Sequence, residues 1–87
     1  MKVIAKQIEM VAWTDTKGNI NPVRFKITNE DKSNSVVKID KVICVEKEKL
    51  AGNNMLAFKC QSVINGLDKL YEIKYELSSC SWILFKI

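Results

Sequence analysis

The sequence predicts an all-β fold: six antiparallel strands, a meander of hairpins forming a small closed or partly open barrel. Three observations carry that prediction. Turn-rich clusters of Gly, Asn, Asp and Ser stand at DTKGN (15–19), NEDKSN (29–34), GNN (52–54), NG (65–66) and SSCS (78–81), and they cut the chain into six apolar segments. The clearest of these segments alternate apolar and polar with period two. The first and last segments instead hold unbroken apolar runs, Met10–Trp13 and Trp82–Phe85. Strands apolar on both faces suit a sheet that curls until its ends meet, because closure removes exposed edges.

Each element can be justified in turn. In the first, KVIAKQIEMVAWT (2–14), Ile4, Ile8, Val11 and Ala12 could line a helix. No good capping residue precedes it and it runs straight into a hairpin-like turn, so it reads as a strand. PVRFKIT (22–28) alternates, with Val23, Phe25 and Ile27 inward and Arg24 and Lys26 outward; Pro22 takes the first position, where a strand tolerates proline. SVVKIDKVICVEKEKL (35–50) is long, and Lys41 breaks its apolar phase before the run Val42–Val45. A bulge or sharp bend near Asp40-Lys41 would account for that, as bent strands turn the corners of small barrels.

The last hairpin is the sharpest expectation. Asn65-Gly66 suits a two-residue turn of type I′, in which both central residues need positive φ. Pairing Ile64 with Leu67 then sets Cys60 opposite Tyr71, Phe58 opposite Ile73, Leu56 opposite Tyr75 and Lys59 opposite Glu72. In LDKLYEIKYEL, Tyr71, Ile73, Tyr75 and Leu77 alternate with Glu72, Lys74 and Glu76, which favours a strand over a helix.

Composition limits the function. At 87 residues, with 47% apolar and 28% charged, residues 1–87 are expected to form a single small β-barrel-like domain rather than a disordered chain. The net charge of +4 permits an anionic partner without requiring one. Three scattered cysteines, with no C-x-x-C pair, argue against a disulfide framework and for a reducing, cytoplasmic setting. Lys6, Gln7 and Glu9 interrupt the N-terminal segment, which therefore lacks a signal-peptide core, and no apolar run is long enough to cross a bilayer as a helix.

Histidine is absent, which removes the commonest general base and metal ligand. No phosphate-cradling glycine motif is present. Cys60 lies in an apolar phase and reads as a packed core thiol, while Cys80 falls in an exposed turn. Catalytic, metal and cofactor residues are accordingly expected to be none, and the chain is expected not to be an enzyme. Asp40 would find a structural role opposite Arg24 if the second and third strands paired with partner numbers summing to 64.

Two binding classes remain. A protein partner, or a homodimer, would use an exposed apolar patch built from Trp82 or Ile83 together with Val11 or Trp13. Nucleic acid would use an outward basic strand face, for which the candidates are Arg24, Lys26, Lys38, Lys59 and Lys74. Arg24 is the only arginine, and Phe25, Phe58, Tyr71 and Tyr75 fall on the inward phase, so they read as core rather than stacking platform. The protein-partner reading leads, with no membrane role expected.

The strings P-V-R-F (22–25), V-K-I-D-K-V (37–42), F-K-C (58–60), Y-E-I-K-Y (71–75) and W-I-L (82–84) resemble short uncharacterised bacterial proteins of anaerobic Gram-positive type. A shorter likeness is to small uncharacterised domains found with Y-family-polymerase-like proteins, which share a P-V-x-F strand, a Y-E-L strand and a terminal W-Y-L. Ile83 stands where that second group has tyrosine. The resemblance implies a stand-alone small β-domain, with a hint of a DNA-repair setting, and it carries no functional residue onto this chain.

Overall fold

A computed structural model describes residues 1–87, save the side chain of Leu50. Seven strands follow one another: β1 (Val3–Thr14), β2 (Ile20–Thr28), β3 (Asn34–Lys38), β4 (Lys41–Leu50), β5 (Asn53–Ile64), β6 (Leu67–Glu76) and β7 (Ser81–Lys86). All neighbours pair antiparallel in one curled sheet of order β3-β2-β1-β7-β6-β5-β4, a half-barrel without helices. Two meanders, β1–β3 and β4–β7, are thus joined through the first and last strands. Lys2 and Ile87 exchange backbone hydrogen bonds of 2.8 and 3.0 Å beside that junction.

The unbroken apolar tail follows from this order, since β7 is the central strand of the sheet. Trp82 and Leu84 point inward and are buried, while Ile83 and Phe85 lie half-buried on the outer face. The inner core gathers Phe25, Phe58, Cys60, Tyr71, Ile73, Trp82 and Leu84. Phe25 of β2 meets Tyr71 of β6 edge-on at 5.7 Å between centroids, although two strands separate them in the sheet. Such a contact requires the sheet to wrap around its core.

The expected hairpin is present in the expected register, with Ile64 opposite Leu67, Cys60 opposite Tyr71 and Leu56 opposite Tyr75. Asn65 and Gly66 take φ of 52° and 76°, the left-handed pair that a type I′ turn requires. The count of strands differs by one from the sequence reading. Segment 35–50 breaks in two at Ile39 and Asp40, where Ile39 N–H donates to the Val23 carbonyl and Asp40 N–H to the Gln61 carbonyl. Adjacent residues therefore bond first to β2 and then to β5, as the chain passes from one edge strand, β3, to the other, β4.

The β2–β3 register also corrects the sequence reading. Arg24 lies opposite Lys38 and Phe25 opposite Val37, so the hairpin is two residues tighter than a pairing of Arg24 with Asp40 would need. The loop explains this. Asn29 bonds the hydroxyls of both Ser33 and Ser35 through its side chain, and the Asp31 carboxylate accepts the backbone N–H and hydroxyl of Ser33. Asp40 falls beyond the end of β3 and accepts the Val63 N–H at 2.8 Å instead.

The bend is held from inside by a second contact. The Ser62 hydroxyl, fully buried, donates to the Lys38 carbonyl at 2.7 Å and lies 2.5 Å from the Tyr71 hydroxyl. Ser62 has one hydrogen to give, so Tyr71 is the donor in the second bond. No helix of the described residues is long and apolar enough to cross a membrane.

Candidate binding surfaces

Cross-strand register decides which of the proposed basic residues come together. On the outer face of β1–β2–β3, Val11, Arg24 and Lys38 form one row, and Glu9, Lys26 and Val36 form the next. Side chains directly opposite share a face, so Arg24, Lys26 and Lys38 make one cluster. Lys26 is partly neutralised by Glu9 at 2.8 Å, whereas Arg24 and Lys38 enter no ion pair among the described residues. Val11, Val36 and Trp13 stay exposed beside them, Trp13 to 56%. A shallow depression of about 250 Å³ lies among Glu9, Val11, Arg24, Lys26 and Val36.

Lys59 and Lys74 do not extend the cluster, because β1 and β7 separate β2 from β6 in the sheet. Lys59 sits between Cys44 and Glu72 in its own row. Lys74 is not an accessible cation at all. Only 5% of it is exposed, its ammonium contacts Glu48 at 2.6 Å and Glu72 at 4.0 Å, and it lies 4.0 Å from the centre of the Phe85 ring. Register shows how this happens. Ala57 stands between Lys74 and Glu46, and its methyl group leaves room for the lysine to cross β5 and reach Glu48 on β4.

Of the apolar patch foreseen from Trp82 or Ile83 with Val11 or Trp13, Val11 and Trp13 are exposed, Ile83 is half-buried and Trp82 is buried. Trp82 packs between Phe58 and Tyr75, at 5.4 and 4.7 Å between ring centroids. Further exposed apolar side chains, Val36 of β3 and Val42, Ile43 and Val45 of β4, stand on the two strands that border the open seam. Among the described residues β4 packs against β5 alone, so its other edge is unpaired.

Beside that edge lies a cleft of about 620 Å³. Its walls are Ile20 and Pro22 from the start of β2, Val42 and Val45 from β4, Leu56 and Phe58 from β5, and Leu77. Asp15, Asn19, Asn21 and Lys47 lie at the same opening. The Asp15 carboxylate is already taken by the N–H groups of Lys17 and Asn19 and the Asn19 amide, which hold its pKa below the usual aspartate value. This cleft was not anticipated from sequence. The available signal was the unalternating run Val42–Val45, which marks a strand whose two faces are both apolar.

Two buried groups, the Cys60 thiol and the Tyr71 hydroxyl, hold their protons tightly. Burial pushes the Cys60 thiol up to about 12, with nearby Cys44 adding to the effect, so no thiolate forms at neutral pH. Burial likewise raises the Tyr71 hydroxyl to about 12, outweighing the opposite effect of its contact with the Ser62 hydroxyl. Among the described residues no three His, Cys, Asp or Glu side chains are grouped to hold a metal ion.

The site and fold can be set against known proteins. Comparison of the chain with protein-family models, curated proteins and solved structures found no match.

Proposed function

We propose that this chain is a non-enzymatic binding domain that acts through a protein partner, received at the open seam of the half-barrel. The observation that carries this reading is the apolar cleft between β2, β4 and β5. Of its apolar walls, Val42, Val45 and Leu77 are exposed and Ile20 and Leu56 half-buried, above a floor of buried Phe58 and Pro22. Leaving large apolar side chains in water forgoes roughly 1.5–3 kcal/mol for each one that a partner could fully cover. The volume lies within the ~300–1,000 Å³ usual for ligand-binding clefts.

The test is selection of displayed random peptides on the wild-type domain, with counter-selection on a folded Val45→Arg variant. Peptides that bind the wild type and lose binding to the variant are expected. Failure to enrich any peptide, or enrichment indifferent to Val45→Arg, would remove the reading.

A second reading, nucleic-acid binding, is favoured by the row of Arg24 and Lys38 beside exposed Trp13. Only three cations cluster there. Binding that uses all three should weaken by about 20–40-fold between about 50 and 200 mM salt, from a slope of roughly 0.7–0.9 per phosphate contact. Fluorescence anisotropy with single-stranded and duplex oligonucleotides measures this. No binding at low salt would dismiss the second reading and leave the first untouched.

A further inference from the structure

We infer that the partner is taken up as an extended segment that pairs antiparallel with the free edge of β4 and continues the sheet into the cleft. This inference rests on the partner-binding reading above and specifies its occupant. The first support is the edge itself. β4 runs for ten residues with one side unpaired, so alternate N–H and C=O groups along that side lack sheet partners. The rival edge, β3, has five residues and is pinned at Lys38 by Ser62.

The second support is what the cleft lacks. A small polar ligand needs a few convergent side-chain groups to orient it. Every buried side-chain nitrogen and oxygen among the described residues already has a partner, and the Asp15 carboxylate is occupied within its own turn. The polar groups left to meet a ligand are those of the β4 backbone, Lys47 and the side-chain amide oxygens of Asn19 and Asn21 at the rim.

The third support is charge. The register sets Lys47 on the inner face opposite Leu56 and Glu46 on the outer face opposite Ala57. Glu48 is held by Lys74, so along the second half of β4 Glu46, Lys47 and Lys49 are the charges open to an added strand, with Lys41 at the strand's start. The matching segment carries an acid on the inner face against Lys47, a base on the outer face against Glu46, and a branched apolar residue against Val45.

A second copy of this chain matches poorly. With a two-fold axis through the sheet, full overlap of two β4 strands sets the apolar Val42–Val45 half against the charged Glu46–Lys49 half. Sliding towards the charged halves sets Glu against Glu and Lys against Lys, which is destabilising. The irregularity between Val42 and Cys44 breaks the alternation in the remaining registers.

The probe is a capped synthetic peptide with the order Glu-Thr-Glu-Lys-Val-Thr-Ile, read against β4 from Lys49 back to Ile43. It is compared with its charge-swapped form, Lys-Thr-Lys-Glu-Val-Thr-Ile, and with two versions N-methylated at alternate amides. Binding should slow hydrogen exchange at alternate amides of Val45–Lys49. It should weaken about tenfold or more on charge swapping, and be abolished by one N-methylation set but not the other. Lys47→Glu should reverse part of the preference between the two charge forms.

Equal tolerance of both N-methylated sets, helical peptides from the display selection, or a peptide that fails to bind would overturn strand addition and leave the cleft reading standing. Self-association that protects β4 amides as protein concentration rises would overturn it in favour of a homodimer. If display selection also enriches nothing, the partner-binding reading falls with it.

Discussion

The hydroxyl pair at the β3–β5 contact gives a prediction whose sign separates coupled from independent groups. Ser62 donates to the Lys38 carbonyl at 2.7 Å, and Tyr71 donates to Ser62 at 2.5 Å. Both side chains are essentially inaccessible. Ser62→Ala leaves the buried Tyr71 O–H and the half-buried Lys38 carbonyl without partners. An orphaned buried group costs about 1–3 kcal/mol, so the variant should lose ~2–4 kcal/mol. Tyr71→Phe keeps the bond to Lys38 and should lose only ~1–1.5 kcal/mol. In the double variant only the Lys38 carbonyl remains orphaned, so it should be about 1 kcal/mol more stable than Ser62→Ala alone. Urea denaturation of the four proteins measures this, provided the slopes agree. Refutation is a double variant less stable than Ser62→Ala by the full cost of Tyr71→Phe. That result would mean the two hydroxyls act separately and do not jointly hold the bend.

Four further outcomes follow from the same geometry. Gly66→Ala should cost about 1 kcal/mol in urea denaturation, since φ of 76° is strained for any residue with a Cβ although nothing crowds the position. Asp40→Ala should cost roughly 1–2 kcal/mol through loss of the Val63 N–H acceptor, while Arg24→Ala changes stability by less than ~0.5 kcal/mol; a double-mutant cycle should show the two to be additive. Lys74→Met should cost ~3–5 kcal/mol because it leaves Glu72 and Glu48 without their cation, and adding Glu48→Gln should recover part of it in the same assay. Stability should fall by several kcal/mol on alkaline titration. Cys60 and Tyr71 bind their protons more tightly when folded, both at about 12, against 9.0 and 10.0 in their ordinary states. Their contribution is whole below pH 9 and is lost as pH rises towards 12, and Tyr71→Phe should remove the part that begins near pH 10.

The parts of the fold legible in sequence are those where local chemistry and alternation agree. Asn65-Gly66 dictates a turn with positive φ, and one register follows for every partner from Met55 to Ile64. The β2–β3 register was out of reach for the opposite reason. Its five-residue loop is set by side-chain hydrogen bonds of Asn29 and Asp31, and turn composition alone does not reveal which of them form. Binding residues were harder still. Outward phase correctly placed Arg24, Lys26 and Lys38 on one face, because opposite residues on paired strands share a face. The same rule cannot tell that Lys74 folds over Ala57 towards Glu48 and leaves solvent. The run Val42–Val45 marks only one wall of the cleft, which is a property of the gap between β2 and β4, two elements that alternation treats separately.

The position of that gap is the point on which structure and proposed function meet. Chain termini are the natural place for a meander barrel to remain open, yet here the first and last strands pair and the seam falls inside the chain, at Ile39-Asp40. The bend ties β3 to β5 rather than to β4, through Asp40 N–H, Val63 N–H and Ser62. β4 is thereby held open along its length while its root is fixed. Charged residues and an irregularity near Val42 guard such an edge against its own copy. Over Glu46–Lys49 the charges are segregated, acids outward and lysines inward, and a segregated edge discriminates between incoming strands as well as repelling identical ones. Protection from aggregation and selection of a partner thus call for the same arrangement, and charge-swapped peptides distinguish them: protection alone would disfavour both peptides, whereas selection admits one.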